Sequence, residues 1–217
     1  MNKSMYDLLM RLPLLGWVAF TATAQLRGLG QFMNMATPVD FVYGIHLAMR
    51  LSTVAFLLLA AAAVILRTRP SGKATGAEPR ISALAGSFML YIIVLFPRHE
   101  LPLSLEMVST AVTLIGTVGS VIALAQLGRS FSIMAETRQL VTSGPYRFVR
   151  HPLYLTEEIA TIGVFMQFAS AWTALLVVLQ LGFQLRRMQN EEAVLTVSFP
   201  EYGEYRQTTA RLIPGIY

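Results

Sequence analysis

No cysteine occurs among the 217 residues, and only 13% of them are charged. The first absence excludes disulfides, thiolate metal ligands and a cysteine nucleophile, and leaves the redox compartment open. The second says more. Soluble domains carry about 25% charged residues. Half that level, with 54% hydrophobic residues and a mean hydropathy of +0.55, excludes an ordinary water-soluble globule. A dinucleotide-binding glycine fingerprint is missing too, since no G-x-G-x-x-G follows a strand pattern. The three histidines, His46, His99 and His151, share no ligand spacing and fall on different sides of the expected membrane, so neither haem nor metal is expected. A net charge of +5 and a pI near 9.8 are compatible with nucleic acid in principle. In a chain this apolar they read instead as a positive-inside membrane bias, with no nucleic-acid partner.

What is present is a series of apolar runs, several long enough for the roughly 20 residues that a helix needs to cross a bilayer. They are Leu8–Leu26, Phe41–Leu66, Ile81–Phe96, Leu103–Leu127 and the 33-residue stretch Leu153–Leu185, in which Ala169-Ser170-Ala171 marks the turn of a helical hairpin. The first run is too long for a signal-peptide core and lacks a small-residue cleavage site, so it reads as a membrane helix. The expected fold is an all-α, polytopic integral membrane protein with about five to six transmembrane helices and a C-terminal helical hairpin. Placing the N-terminus, the 67–80 loop, the 129–151 segment and the tail on one side gathers 14 of the 17 basic residues there. That side is the expected cytosolic one, with both termini on it. In the fourth span, Gly116, Gly119, Ser120 and Ala123 recur at helical spacing and predict a close-packing face.

The segment from Leu140 to Tyr154 carries the densest chemistry. Gly144-Pro145 is a turn signal. Pro152 suits the first turn of a helix, which puts Arg150 and His151 just ahead of a helix entering the membrane, where free backbone N–H groups favour electron-rich ligands. Downstream, Arg187 and Glu191 are four apart and share a helix face. If the hairpin returns to its starting side, the two clusters meet around one pocket. A plainer reading stands beside this. Arg147 and Arg150 would be headgroup anchors, Arg187–Glu191 a surface ion pair, and Tyr202, Tyr205 and Tyr217 part of an interfacial aromatic belt.

Read in order, these pieces resemble the isoprenylcysteine carboxyl methyltransferase and phospholipid methyltransferase family of membrane enzymes. The resemblance rests on Leu140-Val141, Gly144-Pro145-Tyr146, Arg150-His151-Pro152-Leu153-Tyr154, Glu191-Glu192, Phe199-Pro200-Glu201-Tyr202-Gly203-Glu204-Tyr205 and Arg211-Leu212-Ile213-Pro214. It covers roughly the last 90 residues. It implies division into N-terminal transmembrane helices (1–128) and a methyltransferase core (129–217). It also implies S-adenosylmethionine as cofactor, held in a cytosolic pocket by Arg138, Gln139, Leu140, Val141, Tyr146, His151, Pro152, Leu153, Tyr154 and Glu191, with Arg187 orienting the substrate. The chain departs from the family in two places. Thr156 stands where glycine is usual, which puts close helix approach there in question. Glu157 and Glu158 form an acidic pair one turn into the membrane helix. An intramembrane carboxylate is costly and marks a candidate site. The alternative sets the pair at headgroup depth, bonded to Arg150 or Arg187.

The expected partner is a lipophilic or lipid methyl acceptor entering laterally from the bilayer, alongside the membrane lipids themselves. A carboxylate acceptor needs no base and would be oriented by Arg187. An amine acceptor must lose a proton, with Glu157 or Glu158 assisting. The rival class is a non-catalytic transporter or channel, drawn from the ionisable residues His46, Arg50 and Glu106 in or near spans.

Overall fold

The computed structural model describes residues 3–34, 40–68 and 70–215, the side chains of 3–14 excepted. Of the residues counted as basic above, Arg69 and the side chains of Lys3 and Arg11 lie outside that set, as does Tyr217.

Six long helical segments run through the molecule: α1 (Lys3–Met33), α2 (Phe41–Leu66), α3 (Glu78–Phe88) with a 3₁₀ continuation (Met89–Leu95), α4 (Leu103–Leu127), α5 (Pro152–Gln167) and α6 (Ala171–Ser198). The all-α membrane class is as expected. Three segments, 41–66, 78–95 and 103–130, are long and apolar enough to cross a membrane by length and composition. Their outward faces carry exposed Leu51, Leu58, Ile65, Val94, Ile115 and Ile122. An apolar surface of that extent belongs against lipid rather than water.

Local chemistry explains the boundaries. Asp40 starts α2 by accepting the Tyr43 N–H at 2.8 Å. The 33-residue run predicted as a hairpin does break where expected. Ser170 caps α6 through a reciprocal pair, its hydroxyl accepting from Thr173 N while Thr173 Oγ1 accepts from Ser170 N. The third span departs from the uniform helix predicted over Ile81–Phe96. After Phe88 it tightens into 3₁₀ geometry. With 2.0 Å of rise per residue instead of 1.5 Å, the 18 residues 78–95 reach about 30 Å, the thickness of a bilayer core.

The core is built around α4. Ala60, Ala63 and Val64 of α2 meet Ala123 and Leu124 of α4 and Leu153 of α5, while Val18 and Ala22 of α1 pack on Leu57. The α4–α5 interface is the tightest. A Cβ on Gly116 would collide with the Ala160 backbone, and one on Gly163 with Thr113. The small-residue face predicted in α4 is therefore this contact. Close approach at Thr156, which the departure from glycine put in question, is present. Gly119 gives way to the Thr156 side chain, and Ser120 Oγ lies 2.9 Å from Thr156 Oγ1.

At one end, the basic segments are tied together. A two-residue antiparallel ladder joins β1 (Gly72–Lys73) to β2 (Glu136–Thr137). Arg129 Nε donates to Leu66 O and Arg138 Nε to Thr68 O. The tail, with its short helix α7 (Tyr202–Thr208), returns to the same end. There, Arg150 N donates to Ala210 O and His151 N to Arg211 O.

Candidate functional site

The cleft at the basic end opens between the 130–151 segment, the start of α5, the last turns of α6 and the tail, and its cavity measures about 90 Å³. Arg138, Gln139, Leu140, Val141, Tyr146, His151, Leu153, Tyr154 and Glu191 all line it. These nine are candidates picked from two distant stretches of sequence, now around one opening. Pro152, the tenth, is buried at the first position of α5, where it sets the helix start.

The predicted turn exists for a definite reason. Gly144 adopts φ +60°, and a Cβ there would press on the Gln126 side chain at 3.1 Å. Pro145 and Tyr146 follow in a 3₁₀ turn that drives Tyr146 into the interior. Burial raises the Tyr146 phenol above its ordinary value, and the carboxylates Glu191 and Glu157 add to the effect. It is therefore a neutral hydroxyl at physiological pH.

Where the hairpin meets the cleft, Tyr154 Oη donates to Glu191 Oε1, and the Arg187 guanidinium stacks 4.7 Å from the Tyr154 ring centroid. Arg187 is only 3% exposed. Its Nη1 donates to Ser87 Oγ at 2.9 Å and its Nη2 to Ser132 O at 3.3 Å. Its Nε lies 3.3 Å from Glu191 Oε1. The reading of Arg187–Glu191 as a surface pair is thus corrected.

Glu157 and Glu158 do not line the cleft. They continue the polar line along the hairpin, away from it. Glu157 Oε2 accepts from Gln184 Nε2 and Glu158 Oε1 from Gln180 Nε2, each at 3.0 Å. Gln180 Nε2 also donates to Gly86 O of α3. Neither glutamate bonds to Arg150. Both glutamines are almost fully buried, and their Oε1 atoms have no donor among the described residues. The amides cannot be turned over to cure this, because carboxylates and a carbonyl would then face oxygen.

Two further corrections concern the plainer reading. Arg150 is no headgroup anchor. Its Nε donates to Glu192 Oε1 at 3.0 Å inside the protein. Tyr202 is 1% exposed rather than part of an aromatic belt, and it lines the cleft with Tyr205. Arg147 does stay outside, its guanidinium stacked 4.4 Å from the exposed Phe148 ring.

Tyr202, in the cleft wall, and Glu192, bonded behind it to Arg150, Arg211 and His151, are positions that sequence reasoning did not place in the candidate site. Glu192 accepts from Arg150 and Arg211 and lies 3.1 Å from His151 Nε2. Its place beside Glu191 was the one available signal. One helix step turns the two carboxylates in different directions, Glu191 to the cleft and Glu192 to the tail. The rival set does not converge. His46 and Arg50 gather around Phe32, whereas Glu106 faces the exposed Arg98 at 3.6 Å.

Residues 108–197 match the isoprenylcysteine carboxyl methyltransferase (ICMT) family. The matched segment is 90 of the 217 residues. It runs from the first turns of α4 to the end of α6, so the aromatic tail lies beyond it. Among curated proteins, the chain is 39% identical over 101 residues to the protein-S-isoprenylcysteine O-methyltransferase of Schizosaccharomyces pombe, covering 43% of each chain. It is 32% identical over 116 residues to the cobalt-zinc-cadmium resistance protein CzcN of Cupriavidus metallidurans, covering 50% of this chain and 52% of that one. It is 29% identical over 116 residues to the nickel-cobalt-cadmium resistance protein NccN of Alcaligenes xylosoxydans xylosoxydans, covering 50% and 53%. The chain spans about half the length of these curated relatives. In fold it resembles the structure of the eukaryotic intramembrane Ras methyltransferase ICMT, with a TM-score of 0.53 and 19% identity over 100% of this chain and 88% of that one.

Proposed function

We propose that this chain is a membrane methyltransferase that uses S-adenosylmethionine and methylates a lipophilic acceptor reaching it from the bilayer. The observation that carries the reading is the junction of Tyr154, Glu191 and Arg187, where a solvent-open cleft meets a membrane hairpin.

The cleft suits the donor. Leu127, Phe131, Leu140 and Leu153 offer apolar wall for a nucleobase, and the Glu191 carboxylate accepts from a ribose hydroxyl or an ammonium. Arg138, Gln139, Leu140, Val141, Tyr146, His151, Pro152, Leu153 and Tyr154 complete the proposed binding set. Bound there, the sulfonium would supply a methyl group activated for displacement. The chain's own contribution is to hold the acceptor in line and keep water out.

Between the two acceptor chemistries, the surroundings favour an amine. Arg187 is already committed to Ser87, Ser132 and Glu191, which leaves little of it for an incoming carboxylate. Glu157, Glu158 and the donorless oxygens of Gln180 and Gln184 make the hairpin rich in acceptors and poor in donors. A substrate bearing N–H groups answers that imbalance, and Glu157 is the proposed base that removes its proton. The gathering of basic segments at the cleft end supports a cytosolic site with both termini on that side.

The test is methyl transfer in vesicles containing the purified protein, aminophospholipid and a prenylated cysteine, with isotopically labelled donor. The label is expected on the lipid amine, and Glu157→Gln is expected to lower turnover at least tenfold. Label confined to the prenylcysteine carboxylate would overturn the amine preference. No labelled lipid together with no donor binding would overturn the enzyme reading itself.

A further inference from the structure

Tyr202 presents an unanswered demand within the cleft wall. Its residue is 1% exposed, and its hydroxyl is buried with no hydrogen-bond partner among the described residues. Its neighbours show how unusual that is. Tyr205, whose ring centroid is 6.0 Å away, donates its hydroxyl to Tyr146 O at 2.5 Å. Tyr154, on the facing helix, donates to Glu191. A buried hydroxyl without a partner costs stability, so its presence in the wall of an open cleft needs a return elsewhere. Burial and the nearby Glu192 carboxylate keep the phenol protonated, so a proton is available to donate.

We infer that Tyr202 is a donor-positioning residue, whose hydroxyl completes its hydrogen bond on the nucleoside sulfonium bound in the cleft. The inference rests on the proposed use of this cleft for S-adenosylmethionine. It adds a tail residue to a binding set otherwise drawn from the 138–154 segment and α6. The α7 tail thereby becomes part of the donor site as well as a strap across it. Release of the demethylated donor exposes the same deficit again, so the apo protein bears the cost that binding removes.

Tyr202→Phe tests this, because it deletes the hydroxyl and keeps the ring. Isothermal titration with S-adenosylhomocysteine is expected to show about tenfold weaker binding, the loss of one hydrogen bond of roughly 1.4 kcal/mol. The ligand-free variant is expected to melt at or above the wild-type temperature, since no protein bond is lost. Tyr205→Phe should behave oppositely in the melt, falling below wild type as its bond to Tyr146 O disappears. Wild-type affinity in Tyr202→Phe would overturn the inference, as would a destabilised apo variant, which would reveal a protein partner for the hydroxyl. If the wild-type protein itself fails to bind S-adenosylhomocysteine, the donor reading of the cleft falls, and the role of Tyr202 with it.

Discussion

Glu192 shows how one carboxylate can organise a surface assembled from three parts of the chain. Arg150 Nε and Arg211 Nε both donate to its Oε1 at 3.0 Å, and Arg211 Nη2 donates to its Oε2 at 2.8 Å. Arg150 then uses Nη1 to hold the carbonyls of Arg206 and Thr209, and so fastens the tail. Burial opposes ionisation of Glu192, but the hydrogen bonds from His151 and Arg211 and the charge of Arg150 outweigh it. They hold the carboxyl well below its ordinary value of 4.5. A depressed folded-state pKa stabilises the fold above the unfolded value, and that stability is lost as pH falls through the folded value. We therefore expect the basic end to keep its full stability at neutral pH and to weaken in acid below about 4.5. Glu192→Gln leaves two largely buried arginines facing a neutral amide, and should cost about 3 kcal/mol at pH 7. Melting curves across pH would show the difference between variant and wild type shrinking on the acid side. A constant difference down to strongly acidic pH would contradict the assignment.

At the scale of elements, the α4–α5 pair decides where the cleft can be, because Tyr154 and His151 are carried by the start of α5. Lipid offers no hydrophobic drive between helices, so association relies on close backbone contact. Gly163 lies under Thr113 and Ser109, and an added Cβ would meet Thr113 N at 2.6 Å. Gly163→Ala should therefore cost 1–3 kcal/mol, on the order of overpacking in a filled core. Gly182→Ala on α6 is the matched control, since a Cβ there meets nothing within 4 Å. It should be neutral or slightly stabilising. Melting temperatures of the two detergent-solubilised variants make the comparison, and equal effects would refute it. The small-residue stripe was readable because glycine and serine at helical spacing mark a face. What Thr156 implied was not readable, because the space it needs is supplied by Gly119 on another helix. The hairpin was legible from length and the Ala-Ser-Ala break. The 3₁₀ extension of α3 was not, since Met89–Leu95 is ordinary apolar sequence and its tightening has no composition of its own.

For the whole molecule, the distribution of charge carries the topology. Nine cleft residues were named through the family resemblance, whose motifs stand in two compact segments of the chain, whereas the Glu192 and Tyr202 contacts depend on how the tail returns and so could not be read from spacing. The same charge pattern makes the orientation testable. The 67–80 loop, the 129–151 segment and the tail are joined by the β1–β2 ladder and the Arg129, Arg138 and Arg150 bonds, so they must share one side of the membrane. Arg98, His99 and Glu106 gather with Gln167 at the hairpin turn at the other end. Because the chain has no cysteine, single cysteines can report sidedness without background. Thr75→Cys and Gln207→Cys should be labelled by an impermeant maleimide only when the cytosolic face is opened, and Glu100→Cys from outside in intact cells; all three positions are exposed. Outside labelling of Thr75→Cys and Gln207→Cys would invert the assignment. Labelling of these two from opposite sides would break the assembled end itself, and with it the cleft, because the β ladder and the tail would then lie across the bilayer from one another.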